Sequence, residues 1–155
     1  MTSLRPARPS DLDTVVRWIH SQEECDRWTG GSVRYPVDRR RLLDDLGWRI
    51  STNWVLERHA GVVGFGQYRA EPNRRQHLAR IIVDPACRGA GLGRILVSGL
   101  VNSALDTDPR CLSLNVHPGN ATARSLYGSL GFREVDDLVE NRNGRFVYME
   151  RLPGI

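Results

Sequence analysis

Arg88-Gly89-Ala90-Gly91-Leu92-Gly93 is the segment whose residue types and spacing point most directly to chemistry. It follows a β-branched run, Leu78-Ala79-Arg80-Ile81-Ile82-Val83, closed by Asp84-Pro85 as a strand ending in a turn should be. After it, Val97, Leu100, Val101, Ala104 and Leu105 recur with helical spacing, which predicts one face of a helix stopped near Pro109. A helix that begins at these glycines offers backbone N–H groups without intrahelical partners and the positive end of its macrodipole. A pyrophosphate bound there meets donors and no β-carbons. Arg88 adds a permanent positive charge. Spacing removes two other nucleotide loops: a Rossmann fingerprint started at Gly89 and Gly91 needs glycine where Arg94 stands, and a Walker A loop needs a lysine, which this chain lacks. A tight strand-to-helix turn without a ligand stays open on these residues alone.

A second segment carries a related pattern. Leu112-Ser113-Leu114-Asn115-Val116 alternates like a strand, His117-Pro118-Gly119 turns, and Asn120 is placed to N-cap a helix with Ala123, Leu126, Tyr127 and Leu130 on one face. Gly131 supplies the left-handed residue after that helix, and Phe132 opens the next strand. The loop pattern Arg/Gln-x-x-Gly-x-Gly/Ala and the order strand, Asn, Ala, Leu-Tyr, Leu-Gly-Phe together resemble the GNAT superfamily of acetyl-CoA-dependent N-acetyltransferases. The resemblance covers roughly Leu78 to Phe132.

That resemblance implies a cofactor-binding set of Arg88, Gly89, Ala90, Gly91, Leu92, Gly93 and Arg94 in the glycine loop, together with Asn120 and Tyr127. It implies a backbone oxyanion donor among Ile81, Ile82 and Val83, and Tyr127 as the group that meets the leaving thiolate. A phenol near pKa 10 is a weaker acid than a thiol near 8.5, so full proton transfer is uphill by about 2 kcal/mol and Tyr127 is expected to act chiefly by hydrogen bonding. The incoming amine must lose a proton, and with an ordinary pKa near 10.4 its neutral form at pH 7 is disfavoured by roughly 4.6 kcal/mol. The base used by ribosomal-protein alanine N-acetyltransferases, a glutamate five residues before the asparagine, is Asn115 here, and a neutral amide takes no proton. The family's E-x-x-R-x-x-V pattern instead puts His77 at the base position, with Glu57 and Glu71 as alternatives acting through water. An exposed histidine opening a strand is the competing reading of His77. His59 reads as a hairpin-turn residue and His117 as a strand end.

Acceptor identity is weakly encoded. The resemblance places the acceptor wall along Ser21 to Tyr35 and near Asn141 to Gly144. Glu23, Glu24 and Asp26 beside Trp28 could hold a cationic amine by charge and cation-π contact, or form a solvated helix end with a core tryptophan. Trp18, Trp48 and Trp54 read as core.

These residues need a scaffold to position them, and the global numbers fit one domain, residues 1–155. Thr2 to Arg5 reads as a first strand. Ser10 and Asp13 have capping-box spacing before an apolar face of Leu12, Val15, Val16 and Ile19. Asp38 to Leu46 reads as a second helix, Asn53 to Glu57 and Val62 to Arg69 as a hairpin through Arg58-His59-Ala60-Gly61, and Asn143-Gly144 as a late turn between Phe132 to Glu140 and Arg145 to Arg151. The expected fold class is α/β, an α+β mixed sheet of GNAT type, with about seven strands splayed between the fourth and fifth and about four helices.

No signal-peptide pattern and no long apolar run occurs, so no membrane association and a cytoplasmic location are expected. Cys25, Cys87 and Cys111 show no C-x-x-C spacing, so free thiols and no metal site are expected. All 22 basic residues are arginine against 18 acidic ones, a net charge of +4. The charges are interspersed without blocks, so no nucleic-acid partner is expected. The functional expectation is an N-acetyltransferase using acetyl-CoA as co-substrate and acting on a primary amine, first of a small molecule. The alternatives are a protein N-terminus or side chain as acceptor, and a catalytically silent CoA-binding regulatory domain. A homodimer is left open by the resemblance.

Overall fold

Alternating apolar residues and tight turns build one mixed sheet, and helices cover both of its faces. The computed structural model describes residues 1–135 and 145–154. Its order is β1 (Thr2–Pro6), α1 (Leu12–Val16), α2 (Gln22–Thr29), α3 (Arg39–Asp45), β2 (Thr52–Arg58), β3 (Gly61–Glu71), β4 (Arg75–Val83), α4 (Leu92–Leu105), β5 (Cys111–Val116), α5 (Ala121–Ser129), β6 (Arg133–Glu134) and β7 (Val147–Arg151). The strands lie in the order β1-β2-β3-β4-β5-β7-β6. All neighbours are antiparallel except β4 and β5, which α4 joins as a parallel crossover.

Two apolar layers flank the sheet. On one face α4 and α5 pack through Leu96, Leu100 and Tyr127 against Tyr68, Leu78, Leu112, Leu114 and Met149. On the other, α1, α2 and α3 supply Leu12, Val15, Cys25, Trp28 and Leu42 against Val55, Phe65 and Ile82. Period-two alternation along the strands produces this division, because successive residues point to opposite faces. Helix α4 sits close to the sheet since a glycine lies on each side of the contact, Gly66 on β3 and Gly99 on α4 itself. A β-carbon on Gly66 would come within 2.6 Å of Leu100 Cδ1, and one on Gly99 within 2.6 Å of Leu4 Cδ2.

Parallel pairing of β4 with β5 runs only from Arg75↔Cys111 to Leu78↔Leu114. Beyond Leu78 the two strands part, which is the expected splay. On its other edge β4 carries a bulge: Gln67 pairs Ala79 while Phe65 pairs Ile82, so Arg80 and Ile81 together oppose Gly66. Arg80 takes the left-handed conformation, φ 52°. The bulge thus sits where β4 leaves β5.

Three details differ from the sequence reading. The first helical segment starts at Pro9 rather than with Ser10 as cap, because Asp11 accepts the Arg8 backbone N–H at 2.7 Å and the Arg5 guanidinium at 2.8 and 2.9 Å. It ends at Val16, so Ile19 is buried from a turn rather than from a helix face. Helix α2 is a further helix, giving five among the described residues where about four were expected. Its Ser21 cap accepts the Glu24 N–H at 3.1 Å, and Gly30 closes it with φ 68°. The β2–β3 hairpin turns at His59-Ala60, both at positive φ, as a two-residue turn of that twist requires. The expected Asn143-Gly144 turn, and the strand residues after Val135, lie outside the described residues.

Candidate active site

Where β4 and β5 part, a cavity of about 290 Å³ opens, walled by α2, β4, β5, α5 and Phe146. Ile81 of β4 and Asn115 and Val116 of β5 line it, and the β5-facing edge of β4 beyond Leu78 has no strand partner among the described residues. Ile81, Ile82 and Val83 therefore lie on the unpaired stretch where a backbone donor can serve a ligand. Their side chains do other work. Ile82 packs with the α1–α3 layer and Val83 against the α4 layer.

The glycine loop behaves as its composition predicts. Gly89 and Gly91 hold φ 86° and 76°, and a β-carbon on either would meet nothing within 4 Å, so the concave side of the turn is open. Gly91 caps α4 without any side chain, which leaves the N–H groups of the first turn to a ligand. Arg88, Gly89 and Ala90 are exposed on this loop. Leu92 sends its side chain into the core and contributes only backbone, while Gly93 lies against Leu126 of α5. Arg94 donates to Ser129 Oγ at 2.7 Å and ties α4 to the end of α5.

Asn120 N-caps α5 by accepting the Ala123 N–H at 3.1 Å, and it also lines the cavity. Two turns later Tyr127 reaches the same cavity with only 8% of its surface exposed. Its ring packs edge-on against Phe132. Its hydroxyl makes no hydrogen bond to the described residues, and burial pushes its pKa up to about 12. A neutral phenol facing a cavity with its O–H unused is arranged to donate to a ligand atom.

His77 is not an exposed strand opener. It is 6% exposed, lines the cavity, and its Nδ1 lies 2.7 Å from Ser113 Oγ across the β4–β5 pairing. Desolvation, and then Arg69 and Arg75, lower its pKa to about 4. The imidazole is thus neutral at physiological pH, and with Nδ1 committed to Ser113 only Nε2 is left for the cavity. Glu57 is held by Arg5 at 3.0 Å on β2, and Glu71 by Arg69 at 2.9 Å. Neither lines the cavity.

The acidic cluster divides. Glu23 pairs with Arg27 in solvent, and Glu24 accepts the His20 N–H at 2.7 Å at the start of α2. Both serve the helix rather than the cavity. Asp26 and Trp28 do line it. Trp28 is buried edge-on to Phe65, and its indole N–H donates at 2.9 Å to the carbonyl of Arg80, clamping the bulge. His117 accepts the Gly119 N–H at 3.0 Å and shapes the turn before Asn120. The expected acceptor wall at Asn141 to Gly144 lies outside the described residues.

The sequence reading missed Arg69, Arg80 and Tyr148. Gln67, Arg69 and Glu71 alternate with apolar residues along β3, and Tyr148 and Glu150 do so along β7. That period marks the polar face of the sheet, on which the Tyr148 hydroxyl donates to Glu150 at 2.8 Å.

A model of the acetyltransferase (GNAT) domain matches residues 21–153. The chain belongs to the GNAT family. This GNAT chain is 30% identical over 138 residues to an IAA acetyltransferase of Azospirillum brasilense, covering 86% of the chain and 87% of that protein. It is 31% identical over 105 residues to a mycothiol acetyltransferase of Thermomonospora curvata, covering 63% of the chain but only 35% of that longer protein. Among solved structures, the spermidine N-acetyltransferase of Vibrio cholerae in complex with CoA and spermine superposes with a TM-score of 0.80, at 20% identity, over 99% of this chain and 96% of that one. The likeness at that identity is one of fold. Among the described residues no helix is long and apolar enough to cross a membrane.

Proposed function

We propose that this GNAT chain transfers the acetyl group of acetyl-CoA directly to a primary amine of a small molecule. The observation that carries the reading is the meeting, at the β4–β5 splay, of an unpaired β4 edge and the unbonded Tyr127 hydroxyl in one cavity. The open glycine cradle at the start of α4 suits the CoA pyrophosphate, with Arg88 for added charge. Acetyl-CoA supplies the activated acyl group. The chain's part is to hold the thioester carbonyl against the β4 backbone and to meet the sulfur with Tyr127. At a pKa of about 12, Tyr127 is a poor proton donor to a thiolate near 8.5, by about 5 kcal/mol, so it works by a hydrogen bond that strengthens as charge develops.

The amine is deprotonated by selection rather than by a strong base. Neutral His77 offers Nε2, but with its pKa near 4 it holds a proton less readily than an ordinary imidazole by about 3.4 kcal/mol. A partly desolvated cavity lined by Arg27, Arg69 and Arg80 disfavours an ammonium and favours the neutral amine that attacks. The volume, near the low end of small-molecule sites of about 300–1,000 Å³, favours a small acceptor over a folded protein segment.

A panel of small amines, amino acids and peptides, followed by thiol release from acetyl-CoA, tests the reading. Acetylation of one or more small amines is expected. Turnover confined to peptides would transfer the reading to a protein acceptor, and CoA binding with no product from any acceptor would leave a silent CoA-binding domain.

A further inference from the structure

Arg80 is the unusual charge of this cavity. Its Nε is buried and meets no hydrogen-bond partner. Among the described residues its terminal nitrogens reach only neutral oxygens at the limit of hydrogen bonding, Gln67 Oε1 at 3.4 Å and Ser32 Oγ at 3.5 Å. Among the described residues no carboxylate pairs with it, whereas its cavity neighbours Arg69 and Arg27 are paired with Glu71 and Glu23. The side chain is half-buried, and desolvation, reinforced by Arg69, lowers this guanidinium to about 10. Buried charges are ordinarily paired, and an unpaired one is costly.

The fold goes to some length to place it there. Arg80 occupies the bulge, in the left-handed conformation that an arginine rarely adopts. Trp28 fixes the bulge through the Arg80 carbonyl. Gln67, one of its weak contacts, is itself anchored at 2.6 Å to Asn53 and at 3.1 Å to the Leu46 carbonyl. Ser32 and Gln67 both lie toward the α1–α3 side of the sheet, away from the glycine loop at the start of α4. Among the described residues the cavity wall holds three arginines and a single carboxylate, Asp26. Such a lining repels a polyamine and attracts an anion.

Resting on the acetyl-transfer reading, we infer that the acceptor carries a carboxylate as well as its amine, and that Arg80 binds that carboxylate in the splay cavity. Amino acids and related amino carboxylic acids are the substrate class. The guanidinium fork suits a carboxylate with two parallel hydrogen bonds, and its two terminal nitrogens, which make only long contacts with Gln67 and Ser32, supply them. Seating the anion beside Arg80 also brings the amine end of the same molecule into the cavity that holds Tyr127 and His77.

Matched acceptor pairs that differ only by the carboxylate test this, for example phenylalanine against phenethylamine and 2-aminobutyrate against propylamine. Wild-type kcat/KM is expected to favour the carboxylate-bearing member at least tenfold. Arg80→Gln is expected to collapse that ratio toward unity, chiefly through KM, with Arg80→Lys retaining part of it and CoA affinity by calorimetry holding in both. A preference for the decarboxylated amines, or a ratio unmoved by Arg80→Gln in a protein that still binds CoA, would overturn the inference while leaving acetyl transfer intact. A second readout needs no turnover: N-acetylphenylalanine should raise the Tm of the CoA-bound wild type, N-acetylphenethylamine should not, and Arg80→Gln should lose the difference. Equal shifts, or none in the wild type, would also overturn it. Failure of acetylation across the whole panel counts against the enzyme reading, and the Tm comparison then judges the carboxylate site alone.

Discussion

Burial moves two titratable side chains of the cavity, Tyr127 and His77, in opposite directions and leaves both uncharged: Tyr127 rises to about 12 and His77 falls to about 4. A neutral pair is what a thioester site needs, with an O–H to offer the sulfur and a lone pair to receive an amine. Replacing Tyr127 by Phe removes only the hydroxyl, so kcat should fall by about a hundredfold while CoA affinity in calorimetry stays within a few-fold. Unchanged kcat would leave Tyr127 as a packing residue. Substituting His77 by Gln should cost less than about tenfold in kcat/KM at pH 7, because so weak a base has little driving force to contribute. A larger loss that shrinks above pH 9 would instead mark His77 as the proton acceptor. Tyr127 was legible in the sequence because its place seven residues after the capping Asn120 is a local spacing. The burial of His77 was not, since it depends on Ser113 and Arg69 reaching it from neighbouring strands.

At the level of elements, the strand–loop–helix unit from β4 to α4 could be read almost residue for residue, because a β-branched run, a Pro turn, glycines and a helical apolar face are all short-range signals. Gly91→Val forces a β-branched residue to φ 76° and puts methyl groups into the open cradle. It should lower CoA affinity more than tenfold in calorimetry, with a stability loss of about 1–2 kcal/mol from the left-handed backbone. Arg88→Ala should weaken CoA by about 1.5–3 kcal/mol if its exposed guanidinium bonds a phosphate. Unaltered affinity in both folded variants would remove this loop from the site. Helix α2 escaped the sequence reading for a physical reason. Only Cys25 and Trp28 along it are buried, one turn apart, too few to set a helical period. The Arg80 bulge left no mark either, as no Gly or Asn announces the left-handed residue, and the bulge exists because β3, Trp28 and the β4–β5 divergence hold it.

Across the whole molecule, the same burial makes the fold sensitive to acid. His77 has a folded-state pKa near 4 and an unfolded value near 6.5, so below about pH 6.5 the unfolded chain binds a proton that the folded chain refuses. Stability therefore rises with pH between these values and is lost as pH falls through them, by about 2 kcal/mol from pH 7 to pH 5. Asp11 adds to this. The Arg5 guanidinium lowers its pKa, and its contribution is present at neutral pH and lost as the carboxylate is protonated. Urea titrations at pH 7 and pH 5 should show the wild-type decrease, and a smaller one in His77→Gln. Equal pH dependence in the two proteins would mean that His77 titrates normally in the fold.

Product stoichiometry decides whether acetyl passes from CoA to an amine in the β4–β5 cavity. Acetyl-CoA labelled in its acetyl group is incubated with the enzyme and the amine panel, and free CoA and acetylated amine are measured together by mass spectrometry. Labelled N-acetyl product equal in amount to the CoA released is expected, with both falling about a hundredfold in Tyr127→Phe. CoA release that yields only labelled acetate, or bound acetyl-CoA that no amine ever discharges, would contradict it.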